Sequence, residues 1–590
     1  MSRFEEVQKT LESISPIPVN IPKFYLLGDT GAGKTTIVRK ILGTDVHKFP
    51  SVQQKRTTVA VTEYVLSKDI PYKATYIFKT EAQVNEFVNE ILEVTIEKAY
   101  QNSVAGTLDI EEVAEDLEET PDERFRLRYI LAPSELSSIA EAIVNNLLPK
   151  LQDSIENLKA ELESEDEELG VIVDLALEDE QIRTQLKKIH HQIIALIKER
   201  VANHCNGHSL FSDDEYFQHS NSNLNEFIEQ AKKLLSSSKN SVSPVVEYAR
   251  VEGNLLASWL PDDTELVLID GEGIGHDTRE ASRLSARHLD YFHFADSIGL
   301  VEECKKPFAS GGKSAIEGVI RNGYLEKFKL VFSKLDEVEI GDEDKPDREA
   351  QIRSVKKGVR NVRNALKEDG IEINISNDHF YYLSRMKEKE PDKDSVNEIR
   401  KLITDIKDRF LQEKPQFIEP IYDYEMLSSY LTCPSANFYK KWESMLNSKH
   451  WQTVKAFNRR MCWEWDEFRD MKPISDFHAE VTTELEKLLA HPKGWVESAT
   501  PSLKQSSIDR IKQEFSKQLL SLARQVILKK YSHEWESAMA LGGAGSTFVR
   551  KGKINHIISE VLPDHRKPEA VEMKDTIKLL LVTAIEECKA

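Results

Sequence analysis

Gly28, Gly33, Lys34 and Thr35 fall at the spacing G-x-x-x-x-G-K-[ST] within the stretch 23–42, KFYLLGDTGAGKTTIVRKIL. Glycines at these positions let a backbone wrap closely enough for its N–H groups to face phosphate oxygens, and the helix that follows offers its positive end. The cradle comprises Gly28, Asp29, Thr30, Gly31, Ala32, Gly33, Lys34, Thr35 and Thr36. Lys34 can reach the β/γ-phosphates, and the Thr35 hydroxyl can enter a Mg²⁺ shell. Two further clusters suit the same chemistry. Asp270, Gly271, Glu272 and Gly273 form D-x-x-G, in which the Asp holds Mg²⁺ through water and the Gly amide meets a γ-phosphate. Ser333, Lys334, Leu335 and Asp336 form S-K-L-D, a variant of [NT]-K-x-D. Its carboxylate can accept both the N1–H and the amino hydrogens of guanine, a pair adenine lacks, and Lys334 can lie over the base.

Each cluster needs a strand to deliver it. Phe24 to Leu27 is a short apolar run ending at Gly28; Leu266 to Ile269 precedes Asp270; Leu330 to Phe332 runs into Ser333. The expected site thus lies at the carboxyl ends of a largely parallel sheet. Ser297 to Val301 predicts another strand, and Phe380 to Leu383 a last one, ending at Ser384 behind the base. Val59 to Leu66 and Tyr72 to Phe78 alternate β-branched and polar residues around a short polar break, which predicts a hairpin. Gly311, Gly312, Lys313 and Ser314 resemble a phosphate-loop tail but lack the upstream Gly and strand, and read as a loop that opens a helix.

Between the first and second groups of strands the pattern is helical. Runs at Leu136, Ile139, Ile143 and Leu147 and at Leu151, Ile155, Leu158 and Leu162 flank Pro149, which should kink or restart the helix. Ile182, Leu186, Ile189, Ile193 and Leu196 recur at heptad-like spacing. Blocks 111–123 and 161–168 are acidic and read as solvated faces, and His190 and His191 as ordinary helix residues. Beyond about Pro415 the chain is helical and aromatic, holding six of its seven tryptophans. A stripe of Ile508, Ile511, Phe515, Leu519, Leu522 and Val526 marks a core face there. Gly542, Gly543 and Gly545 suggest an interhelical turn.

Composition bounds the function. A chain of 590 residues holds more than one domain, and 40% hydrophobic with 30% charged residues is globular and soluble in type. A net charge of −21 opposes broad binding to nucleic acid or anionic lipid. Five scattered cysteines form no C-x-x-C pair and suggest neither a disulfide framework nor a zinc site. No apolar run is long enough to span a bilayer, so a cytoplasmic location is expected.

The order phosphate loop, Thr-bearing loop, D-x-x-G, S-K-L-D resembles the translation-factor class of P-loop GTPases. The loop GDTGAGKTT is similar to those of the septin, immunity-associated and interferon-inducible GTPases, and the layout resembles the dynamin superfamily. The resemblance covers roughly residues 23–61 and 265–384. The expected fold class is α/β: a mostly parallel GTPase sheet (1–80 and 241–415), interrupted by a large α-helical insertion (81–240) and followed by an all-α C-terminal domain (416–590). The resemblance implies GTP and GDP as ligands, Mg²⁺ held by Thr35, Asp270 and Thr58 (or Thr57), and catalysis involving Lys34, Thr58 and Gly273. It also implies self-association or a protein partner through the helical parts. The chain departs from these families at two positions. Thr30 stands where dynamins carry a catalytic Gln, and Ile274 stands where Ras-type enzymes place theirs. An arginine could compensate: Arg56 precedes Thr58 in the loop, and Arg279, Arg283 and Arg287 recur after D-x-x-G.

Overall fold

Along β1 (Lys23–Leu27), Phe24 and Leu26 enter one apolar core while Tyr25 and Leu27 enter another, as the period of two in a strand requires. The computed structural model describes residues 2–51, 60–118, 125–161, 172–173, 176–177, 179–212, 215–274, 284–308, 311–341, 347–368, 376–542, 545–563 and 566–589. The strands after β1 are β2 (Val61–Leu66), β3 (Lys73–Phe78), β4 (Tyr216–Ser220), β5 (Val246–Gly253), β6 (Leu266–Asp270), β7 (Ser297–Glu303), β8 (Phe328–Ser333) and β9 (Phe380–Tyr382). They form one nine-stranded sheet in the order β4-β3-β5-β2-β6-β1-β7-β8-β9. From β6 through β9 all pairings are parallel; β2 runs antiparallel to β6, and β3 antiparallel to both β5 and β4.

The predicted hairpin is not formed. β5 lies between β2 and β3, parallel to the first and antiparallel to the second. β5 is buried at every residue, so two long strand pairings replace the one that a tight turn would have closed. The helical insertion likewise contains a strand, β4, which pairs with β3. Its polar sequence, YFQHS, carried no strand signal because it is an edge strand supported by one neighbour.

The core on the Phe24 side is covered by helix Lys34–Leu42, by helices of the insertion including Glu81–Ala105 and Glu180–His204, and by Lys393–Leu411. The opposite core takes in helices Arg3–Ile14, Ala286–Phe294 and Gly311–Arg321 and continues into the C-terminal helices. Pro149 falls just after a π-turn, Ile143–Leu147, where its missing N–H leaves the regular ladder open. In Glu180–His204, Ile182, Ile189 and Ile193 are buried while Leu186 and Leu196 are half-buried. The C-terminal stripe holds as far as Leu522; a π-turn at Gln525–Lys529 then shifts the phase, burying Ile527 in place of Val526. Gly545 adopts φ +75° at the start of helix Ser546–Val561, while Gly543 lies outside the described residues.

Ion pairs join the C-terminal helices to helices that pack on the sheet. Arg459 and Arg460 of helix Trp451–Cys462 reach Glu86, Glu90 and Glu93 of the insertion, at 2.6 to 3.4 Å. Arg524 grips Asp290 and Asp466 at 2.7 Å each. Among the described residues no helix is long and apolar enough to cross a membrane.

Candidate functional site

β1 delivers Gly28 against the backbone of its neighbour β7. A Cβ on Gly28 would lie 2.4 Å from Val301 O, and its φ of +149° is one that L-residues rarely adopt. Gly33, at φ +104°, turns the chain into helix Lys34–Leu42. The loop between therefore closes over the carboxyl end of the sheet. The buried Lys34 folds back over it, its Nζ donating to Gly28 O at 2.7 Å and Asp29 O at 3.1 Å. Thr35 Oγ1 donates to Asp270 Oδ2 at 2.9 Å, both residues being buried. Two of the predicted metal-shell residues, from elements 235 residues apart, are thus brought together. A hydroxyl and a carboxylate are hard oxygen donors of the kind that suits Mg²⁺.

The D-x-x-G loop is stitched to the same cradle. Ile274 N–H donates to Gly28 O at 3.2 Å, and a Cβ on Gly273 would come within 2.7 Å of Thr30 Oγ1. Gly273 and Thr30 are therefore in contact. Ile274 itself is buried in the core and cannot orient water. Glu272 accepts from Arg287 Nη1 at 2.7 Å, and both line a cavity of ≈ 290 Å³ between the sheet and the C-terminal helices. Arg287 stands on helix Ala286–Phe294, whereas Arg279 and Arg283 lie outside the described residues. So do Arg56, Thr57 and Thr58. Just ahead of them, Arg39 Nε holds Pro50 O at 2.8 Å, anchoring the start of the Thr-bearing loop to the phosphate-loop helix.

S-K-L-D arrives at the end of β8 on the other side of β1. Ser333 Oγ donates to Ala32 O at 2.6 Å, which locks this motif to the phosphate loop. Lys334 is in the left-handed region, at φ 57°, and pairs with Glu303 at the end of β7. Asp336 is exposed, with Oδ1 accepting the Arg385 N–H at 2.7 Å. The Ser384 hydroxyl, expected behind the base, is engaged by Asp392 and accepts from Arg348 Nη1 at 3.2 Å. Its hydrogen bonds join it to Asp392, the N-cap of helix Lys393–Leu411, and to Arg348 of helix Arg348–Glu368.

Several neighbours of the site had no sequence signal. Arg385 supplies the amide that orients Asp336, and Glu303 the charge that holds Lys334. The set-aside GGKS segment does open a helix, Gly311–Arg321, yet its first residues press on the phosphate loop. A Cβ on Gly311 would sit 2.5 Å from Asp29 Oδ1, and one on Gly312 would sit 2.2 Å from Glu302 Oε1. Glu302 accepts the Phe308 N–H at 2.8 Å, and burial pushes its carboxyl up to about 8. A Gly-Gly pair after a strand that ends in Glu-Glu was the only available hint.

No protein-family profile and no curated protein matches the chain. Among the solved structures that align with it are two described as an oligomerised bacterial dynamin pair that provides a mechanism for the long-range sensing and tethering of membranes. They cover 99% of this chain and 73% and 75% of their own, at 10% and 13% identity, with TM-scores of 0.29 and 0.27. The structural neighbours are thus bacterial dynamin-like proteins at low identity, and the functional reading rests on the geometry of the site.

Proposed function

We propose that the chain binds GTP with Mg²⁺, hydrolyses it to GDP and phosphate, and couples nucleotide state to movement or assembly of its helical regions. The observation that carries this reading is the 2.9 Å hydrogen bond from Thr35 Oγ1 to Asp270 Oδ2, made beside Lys34 at the carboxyl edge of the sheet. Thr35 and Asp270, with Thr58 from the loop, would hold the ion. Mg²⁺ supplies neutralisation of the phosphate charge during in-line attack by water. Lys34 would leave the Gly28 and Asp29 carbonyls for the β/γ-phosphates, and the loop amides would bind the developing negative charge. Asp336, set by Arg385, would select guanine, and the contact between Thr30 and Gly273 would report the γ-phosphate to the rest of the chain.

The burial of Ile274 favours slow turnover by the isolated chain, completed by a group supplied from the Thr-bearing loop or from a second copy. Against a signalling ATPase with Glu272 as base stands the pairing of Glu272 with Arg287. The test is turnover of GTP and ATP, with and without Mg²⁺, across a range of protein concentrations. GTP-selective, Mg²⁺-dependent turnover that rises per molecule with concentration supports the reading. In Lys34→Ala it should disappear, and in Arg56→Ala the maximal rate should fall while GTP affinity holds. Turnover undiminished in Lys34→Ala would place the site elsewhere.

A further inference from the structure

Helix Arg348–Glu368, which lies between β8 and β9 in the chain, carries charge against the balance of the protein. The net charge is −21, yet this helix holds seven arginines and lysines and only two glutamates. Val355, Val359 and Leu366 bury its apolar side in the core opposite Phe24. Lys357, Arg360 and Lys367 stand exposed on the other side, with the half-buried Lys356 at its margin. Arg353 pairs with Glu349 of the same helix at 3.6 Å, whereas those four cations pair with no carboxylate among the described residues.

The opposite charge is gathered on helix Ile110–Glu118 of the insertion. Five of its nine residues are carboxylates and none is a cation. Val113 and Leu117 bury its other side in the Phe24 core, leaving Glu111, Glu112 and Glu115 exposed. Like charges three or four residues apart destabilise a helix. Lys356, Lys357 and Arg360 stand in that relation, and so do Glu111, Glu112 and Glu115. A surface of opposite sign relieves each of them.

We propose that the exposed basic side of helix Arg348–Glu368 docks on helix Ile110–Glu118 of a second copy of this chain, head to tail. The two helices pack into cores on opposite faces of the sheet, so the contact forms between copies and not within one. The match is local: each side carries three charges at the same offsets, over about one turn of helix. Nucleic acid or an anionic membrane presents an unbroken negative surface, which would also meet the rest of an acidic chain. Each contact uses one basic and one acidic helix and leaves one of each open, so copies add in a row or close into a ring. Exposed ion pairs are weak singly and screened by salt, so several must act together. The inference stands whether or not the chain binds nucleotide.

Sedimentation of the full-length chain without nucleotide tests this, in the parent, in Lys357→Glu/Arg360→Glu and in Glu111→Lys/Glu112→Lys. Lysine and glutamate both form helices well, so the reversals keep the fold. At about 0.05 M salt the parent's average mass should rise with concentration; at about 1 M, where charges are screened within about 3 Å, the rise should vanish. Each variant alone should lose about tenfold or more in association constant. Mixed in equal amounts, the two variants should regain the parent's association, because each retains the face the other has lost and the reversed faces are complementary too. A parent that stays monomeric at low salt, an association that the reversals leave unchanged, or a mixture that does not regain it overturns the proposal. Binding of a monomeric parent to phosphatidylserine vesicles, lost in Lys357→Glu/Arg360→Glu, would likewise overturn it and give the face to a membrane.

Discussion

At neutral pH the carboxyl group of Glu302 keeps its proton. It is the penultimate residue of β7, with Gly312 pressed against it, and burial lifts it from 4.5 to about 8. The unfolded chain releases this proton near pH 4.5, so between that value and about 8 the folded state holds more protons. Stability therefore falls as pH rises through this window and is unaffected by the group outside it. In Glu302→Gln, which can still accept the Phe308 N–H, the decline between pH 5 and pH 8.5 should shrink by on the order of 3 kcal/mol, read by urea denaturation. Asp336 offers a second test at this scale. Asp336→Asn keeps an oxygen for the Arg385 amide but presents a donor to the base. Preference should move from GTP toward xanthosine triphosphate by about 10²-fold or more in relative affinity, measured by competition binding. Asp336 was legible from sequence because its motif is local. Glu302 and Arg385 were not, because each acquires its role from a residue on another element.

At the scale of elements, the contact between the phosphate loop and D-x-x-G can be tested directly. Gly273→Ala would drive a methyl to 2.7 Å from Thr30 Oγ1 and 3.2 Å from Thr30 N. Turnover should drop by about tenfold or more, and Thr30→Ala in the same chain should restore part of it, since the hydroxyl is the nearer obstacle. Single-turnover kinetics on the single and double variants would measure this. Strand delivery of each motif could be read from sequence because β1, β6 and β8 each contain a short apolar run, Phe24 to Leu27, Leu266 to Ile269 and Leu330 to Phe332. Strand partnership could not. β2 and β3 look like a hairpin from their spacing, and only the arrival of β5 from beyond the insertion decides otherwise. The placement of helix Gly311–Arg321 beside Asp29 was hidden for the same reason.

At the scale of the whole molecule, one apolar core runs from the sheet region into the C-terminal helices, and Arg524 adds an ion-pair link between them. Arg524 sits between Asp290 and Asp466, and burial raises Asp290 to about 6 even beside this partner. Arg524→Met would leave Asp290 nearly buried without its cation and should cost about 3–5 kcal/mol. Calorimetry should then show a lower Tm, with the unfolding of the C-terminal helices separating from that of the sheet. A single unshifted transition would mean that the apolar contacts suffice. From sequence, strand and helix stretches were visible as changes of period, but the contacts between them were not. Arginine and glutamate on amphipathic helices look alike whether they meet water or each other, as Arg459 and Arg460 with Glu86 and Glu90 illustrate.

The position of β5 also constrains how the protein is made. On the ribosome, β2 and β3 emerge early, yet the strand that must enter between them ends only at Gly253. At about 5–20 residues per second, the two edges wait on the order of ten seconds or more without their partner. During that time the shortcut of pairing β2 with β3 is open, and taking it would exclude β5. Helix Glu81–Ala105 begins directly after β3 and buries Val84, Phe87, Val88 and Ile91 in the core that β3 also enters. By docking as soon as it is synthesised, it can fix β3 apart from β2 and keep the slot open. Slowing translation between β3 and β5 should therefore lower the yield of native chain, and weakening that helix should likewise favour trapped, aggregating chains.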